Sequence, residues 1–182
     1  MRRMVPLFLL WMVGGAGLAI GQGSMSQAQK ATLIRSALSA GPSSITDHAA
    51  VVAPDADGKM ITLREGTNGW TCVPDDPKTP RPDPVCMDAQ AMKWGEAFNA
   101  HAAKPANTEP GIMYMLAGGS DPSASDPAAT TTKHWVIEPP HWMIMWPVDP
   151  KASGLSTKPK MTGSWIMWAG TPWAHIMINQ KP

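Results

Sequence analysis

His141-Trp142-Met143-Ile144-Met145-Trp146-Pro147-Val148 is the stretch on which the reading of the fold turns. It has the length of a strand, is too short for a helix, and combines Trp, Met and Ile between prolines. Three further runs share that character: residues 111–117 (GIMYMLA), 164–169 (SWIMWA) and 173–178 (WAHIMI), each bounded by Gly, Pro, Ser or Asp. The four read as strands of one antiparallel sheet and as its core. A strand's period of two puts His141, Met143 and Met145 on one face and Trp142, Ile144 and Trp146 on the other. Both faces are apolar, so the strand is central rather than an edge. One three-residue unit occurs twice, as His141-Trp142-Met143 and as His175-Ile176-Met177, each time with imidazole and thioether on the same face.

Outward from these runs, the chain begins Met1-Arg2-Arg3-Met4 and continues with apolar residues 5–13 before Gly14-Gly15-Ala16-Gly17. This is the pattern of a secretory signal peptide, residues 1–21, with cleavage near Gly21. Its apolar run falls short of the ~20 residues of a membrane-spanning helix. The expected location is therefore periplasmic or secreted, with no membrane span after cleavage. Losing Arg2 and Arg3 leaves 13 Lys and Arg against 14 Asp and Glu, a mature charge of −1. Nucleic acid is excluded as a partner by the missing basic footprint. Residues 22–182 have the length of a single compact α+β domain. Cys72 and Cys86, the two cysteines, are expected to pair in an oxidising compartment. Their spacing fits neither a C-x-x-C redox motif nor the paired ligands of a zinc site.

Before the core runs, Ser24 or Ser26 caps a first helix carrying Ala31, Ile34 and Leu38, which should end at Gly41-Pro42. Residues 49–53 and 59–64 read as strands joined by a turn ending in Asp57-Gly58. Residues 70–73 read as the third strand of a meander. Asp55 and Asp57 lack the further oxygen ligands of a calcium loop. Asp88 caps a second helix with Ala91, Trp94, Phe98 and His101 on one face. Residues 118–133 (GGSDPSASDPAATTTK) have no periodicity and read as a long mobile loop; residues 149–163 read as a solvated connection. The expected fold is α+β, with two helices packed on one side of an antiparallel sheet of about six to seven short strands.

Imidazole and thioether together suit Cu(I), so His141, Met143, His175 and Met177 form a candidate metal site, with Met113 or Met115 as a further ligand. Packing alone also accounts for these methionines, because thioethers fill gaps against aromatic rings. The many tryptophans raise a second possibility, a glycan-stacking surface at Trp135 and Trp173, which border loops. An enzyme would draw on His134, Glu138, His141, Asp121 and Asp126. No nucleophile motif accompanies them. The reading is a non-enzymatic exported binding or interaction domain. Its partner is an unidentified small molecule, metal or envelope component, and Cu(I) is the single cofactor the residues suggest.

Residues 63–72 (LREGTNGWTC), the second cysteine in 84–88 (PVCMD), the Pro140-His141-x-Met143 entry and the ending 170–177 (GTPWAHIM) together resemble an uncharacterised family of small exported bacterial proteins. The resemblance covers nearly the whole mature chain. It implies export and a compact domain containing both H-x-M units, and it carries no functional residue over.

Overall fold

The computed structural model describes residues 25–180. The expected signal peptide, residues 1–21, lies outside them. Helix α1 (Gln27–Leu38) opens with a capping box in which the Ser26 hydroxyl accepts from Gln29 N–H and the Gln29 side chain accepts from Ser26 N–H. Two orphan donors of the first turn are thereby satisfied. A single-turn helix α2 (Ser43–Thr46) follows the break at Gly41-Pro42. Strands β1 (Ala50–Pro54) and β2 (Met60–Arg64) then pair antiparallel about the expected turn.

Strand β3 (Thr71–Val73) departs from the expected meander: it pairs with β1, in parallel, rather than with β2. The connection crosses the start of β1, where Thr67 N–H donates to His48 O and Ala50 N–H to Trp70 O. Gly66 makes that crossing possible, since a Cβ there would stand 2.1 Å from Ala50 N. Strand β4 (Val85–Met87) pairs antiparallel with β3 and sets Cys72 directly opposite Cys86. The two are joined by a disulfide across a Cα separation of 4.0 Å.

Asp88 caps α3 (Ala89–Asn99) by accepting from Gln90 and Ala91 N–H, and its other carboxylate oxygen accepts from Ile112 N–H. One side chain therefore starts the helix and ties it to β5 (Gly111–Met115). A Cβ at Gly111 would meet Ala91 N at 2.3 Å, so glycine is what lets strand and helix approach this closely. The chain continues with β6 (Gly119–Asp121), β7 (Val136–Glu138), β8 (His141–Met145), the single turn α4 (Pro150–Ser153), β9 (Gly163–Met167) and β10 (His175–Asn179).

Eight strands form one mainly antiparallel sheet in the order β2-β1-β3-β4-β5-β8-β10-β9, and β6 and β7 form a separate two-stranded ribbon. The α+β class stands, and the expected counts are corrected, among the described residues, to four helices, two of them single turns, and ten strands. The extra strands β4, β6 and β7 have three residues each, too few to show a period. The two long helices also lie on opposite faces rather than on one. Cys86 and Met87 are consecutive in β4 and so point opposite ways. The Cys86 side packs under α1 with Ala37, Ala40, Val51 and Cys72, and the Met87 side packs under α3 with Ala91 and Trp94.

The segment 118–133 is not the free loop expected. It holds β6 and several turns, and Trp168 fastens it: its N–H donates to Ala124 O at 2.8 Å and its indole N–H to Ser123 O at 2.7 Å. Trp168 adopts a left-handed backbone (φ 53°), a conformation costly for a bulky residue. Its ring lies parallel to Trp94 and Phe98 and edge-on to His175, contacts that hold the conformation in place. The connection 149–163 is likewise structured, with α4 and a bridge from Ser156 to Trp165 along the outer side of β9.

Candidate functional site

The register of the four C-terminal core strands sorts the expected site residues into rows on the α3 side of the sheet. Met113, Met143 and Met177 lie directly opposite one another on β5, β8 and β10, with Met87 and Trp165 extending the row on β4 and β9. One step toward the ribbon, Met115, His141 and Asn179 form the neighbouring row. At the other end His175 faces Met167, one residue beyond the Ile144–Ile176 pair. Both H-x-M units therefore share a face, and their methionines meet. Their histidines stand at opposite ends, on backbone positions ~13 Å apart along the strands.

The two imidazoles are held alike. Nδ1 of His141 bonds the Pro139 carbonyl at 2.8 Å, and Nδ1 of His175 bonds the Trp173 carbonyl at 2.9 Å. A carbonyl accepts, so both rings carry the proton on Nδ1 and present a lone pair at Nε2. Burial lowers each ring's pKa to about 4, against the favourable carbonyl bond, and His141 further disfavours charge on His175. His175 is enclosed by aromatic rings, edge-on to Trp94 at 5.5 Å and to Trp168 at 5.1 Å. It belongs to the core.

His141 has a different neighbourhood. The β6–β7 ribbon folds over its end of the sheet and brings Glu138 Oε2 to 3.6 Å from His141 Nε2. That distance is too long for a hydrogen bond. Glu138 Oε1, His141 Nε2 and Asn179 Oδ1 are all buried with no partner among the described residues. Burial, with Asp121 and Asp83 adding like charge, raises the Glu138 pKa to about 8. Burial raises Asp121 to about 6 against a bond from Ser123 N–H, and burial raises Asp83 as well. From half-buried Asp83 and Asp121 to buried Glu138 and His141, polar groups lead inward from the surface.

Of the residues considered for catalysis, Asp121, Glu138 and His141 gather here, whereas Asp126 and His134 are exposed on the connecting loop. Trp135 is half-buried, and Trp173 is largely buried against Trp94 and Phe98 and lines a cavity of about 270 Å³ with Phe98, His101 and Pro127. Two members of the polar end escaped the sequence reading. Asn179 could have been found, because the period of two that aligns His175 with Met177 continues to it. Asp83 sits in a proline-rich loop without period and carried no signal. Among the described residues, no three His, Cys, Asp or Glu side chains converge as a metal-holding group, and no helix is long and apolar enough to cross a membrane. A groove of about 920 Å³ lies elsewhere, between α1 and the β1–β2 turn, lined by Met25, Leu33, Pro54 and Ile61 and without an imidazole.

The fold and its polar end define an α+β domain, disulfide-bonded, with a buried imidazole and carboxyl facing each other under a two-stranded ribbon. The chain matches no family model, no curated protein and no solved structure.

Proposed function

We propose that the chain is an exported, non-enzymatic binding domain that receives its ligand at the Glu138–His141 end of the sheet. The observation that carries this reading is the pair of buried, unpartnered atoms, Glu138 Oε1 and His141 Nε2, beside unpartnered Asn179 Oδ1. Each such atom costs about 1–3 kcal/mol when left unsatisfied, a burden that packing alone gives no reason to keep. Turnover is disfavoured because both buried imidazoles spend Nδ1 on backbone carbonyls and neither bonds a serine, threonine or cysteine side chain. Export is supported by the signal-like residues 1–21 and by the disulfide, which persists in oxidising compartments. Melting of the mature protein, residues 22–182, against a panel of metal ions and small envelope metabolites tests the reading. At least one member should raise the melting temperature of the wild type and leave a His141→Leu/Glu138→Met variant unmoved. If nothing in the panel shifts the wild type and the variant is the more stable protein, the polar end is only a burden and the reading falls.

A protein partner is the second reading, and the α1 side of the sheet favours it. Beyond the reach of α1, Ile112, Ile144 and Ile176 form a row beside a strip of Trp70, Tyr114 and Trp142, all partly exposed. Isoleucines offer a sugar no hydrogen bond, so this surface suits an apolar protein segment better than a glycan. A photo-crosslinker at position 144 should then give envelope adducts that one at exposed Lys93 does not. Equal yields from the two positions would count against it.

A further inference from the structure

We infer that the chain has a second binding site, separate from the Glu138 end: the cavity between the C-terminus of α3 and residues 127–130 takes a small neutral aromatic molecule bearing one hydroxyl or ring N–H. The cavity measures about 270 Å³. Pockets for drug-sized ligands run from roughly 300 to 1,000 Å³, so this one is sized for a single ring or two fused rings. Its inner side is aromatic, with Trp173 and Phe98 meeting edge-on at 5.2 Å, a surface on which a further ring gains by stacking or by an edge contact. Its outer wall is already in place. Trp168 fastens the stem of that wall through Ser123 O and Ala124 O, and the Asp126 carboxylate accepts from Ala128 N–H at 2.9 Å. A ligand entering such a preformed space has little chain left to order.

His101, at the rim, is the independent sign of a site. Helix α3 ends in a Schellman motif, in which His101 N–H donates to Phe98 O and Ala102 N–H to Ala97 O. The left-handed position of that motif is most often glycine, and here it is His101, at φ 52°. A histidine held in this conformation lowers stability, and such strain collects where a side chain is needed. What it keeps at the rim is an imidazole able to donate or accept a hydrogen bond. The Thr130 hydroxyl is the other such group on the lining. These few polar groups select the ligand class. A sugar would set most of its hydroxyls against Phe98, Pro127 and Ala128 without partners, and Pro127 has no N–H to offer. No Lys, Arg, Asp or Glu lines the space, so a charged ligand would lose its hydration without gaining an opposite charge. One ring with one polar group matches the aromatic side and the polar rim together.

Isotope-labelled mature protein titrated with phenol and with indole, and followed through the Trp173 indole N–H resonance, tests the site. At least one of the two should shift that resonance and saturate, whereas cyclohexanol, benzoate and N-acetylglucosamine should bind at least tenfold more weakly. Ala128→Trp fills the cavity from its exposed wall and should abolish the shift while the urea midpoint stays at the wild-type value. Because that variant could lose the fold, His101→Gly gives a second readout. It relieves the left-handed strain, so its urea midpoint should rise while its affinity for the ring falls at least fivefold. No saturable shift with either compound would overturn the site, and so would undiminished binding in folded Ala128→Trp. N-acetylglucosamine binding as tightly as phenol would overturn the ligand class in favour of a sugar. A raised midpoint with unchanged affinity in His101→Gly would overturn the role given to the imidazole.

Discussion

Raising the pH from 6.5 to 8 should destabilise the fold, and Glu138 is the cause. Burial, together with Asp121 and Asp83, raises its pKa from 4.5 to about 8; the other titratable group beside it is His141. Between those values the unfolded chain has released the proton and the folded chain keeps it, so folding takes one up. Stability then falls by about 1.4 kcal/mol per pH unit. The buried histidines act in the opposite sense. Their pKa values drop from 6.5 to about 4, so their contribution is complete only well above 6.5 and is lost as the pH falls toward 4. Asp121, raised from 3.8 to about 6, offsets part of that acid limb. At pH 6.5 the two imidazoles are still half protonated in the unfolded chain, so their remaining gain offsets about half of the Glu138 loss; stability is greatest near pH 6 and falls by about 1 kcal/mol between pH 6.5 and 8. Urea unfolding followed by tryptophan fluorescence measures it, provided the slope with urea stays constant. Glu138→Gln keeps the shape without the proton and leaves the histidines' gain, so its stability should rise slightly rather than fall above pH 6.5. A wild-type midpoint that holds or rises from 6.5 to 8, or an equal fall in Glu138→Gln, would refute the reasoning.

Alkylation of the unreduced protein should leave Cys72 and Cys86 unlabelled by intact mass, and Cys72→Ala/Cys86→Ala should cost about 2–4 kcal/mol; two labelled thiols in protein recovered from the periplasm would contradict the bridge. Trp168→Ala removes three ring contacts and the indole bond to Ser123, so it should cost about 3–5 kcal/mol and make residues 122–133 the first site of limited proteolysis. Unchanged cleavage there would show that the segment is held by something else. In the methionine row, Met143→Leu should cost less than about 1.5 kcal/mol and Met143→Ala about 2–5 kcal/mol, read from urea midpoints. Equal costs would mean that the row is not close-packed.

Much of the scaffold was legible because its signals are local. The capping residues Ser26 and Asp88, the turn at Asp57-Gly58 and the four Trp- and Met-rich runs each announce themselves within a few residues, and each forms the element expected. What escaped is non-local. The parallel placement of β3 depends on a loop crossing at Gly66, and the opposite seating of α1 and α3 follows from which of Cys86 and Met87 faces which helix. A three-residue strand such as β7 becomes one only when β6 is there to pair with it.

The site turns on the same distinction. In an antiparallel pair the residue numbers of opposed positions add to a constant, and for β8 and β10 the pair Met143–Met177 fixes it. Sliding β10 by two residues would set His141 against Met177 and Met143 against His175 and make the repeated H-x-M unit one four-ligand cluster; the sequence pattern is the same in either register. Such a slide would keep each strand's inward face, since it is an even number of residues, so the alternation of apolar residues does not exclude it. The packing of α3 and the ribbon does: His175 is seated edge-on against the rings of Trp94 and Trp168, while His141 is seated beside Glu138. One repeat thus yields two unlike histidines, one enclosed by aromatic rings and one with a free lone pair facing a carboxyl group. The proposed binding reading follows the second, because its Nε2 and the Glu138 Oε1 beside it are buried polar atoms left without a partner among the described residues at that end of the sheet.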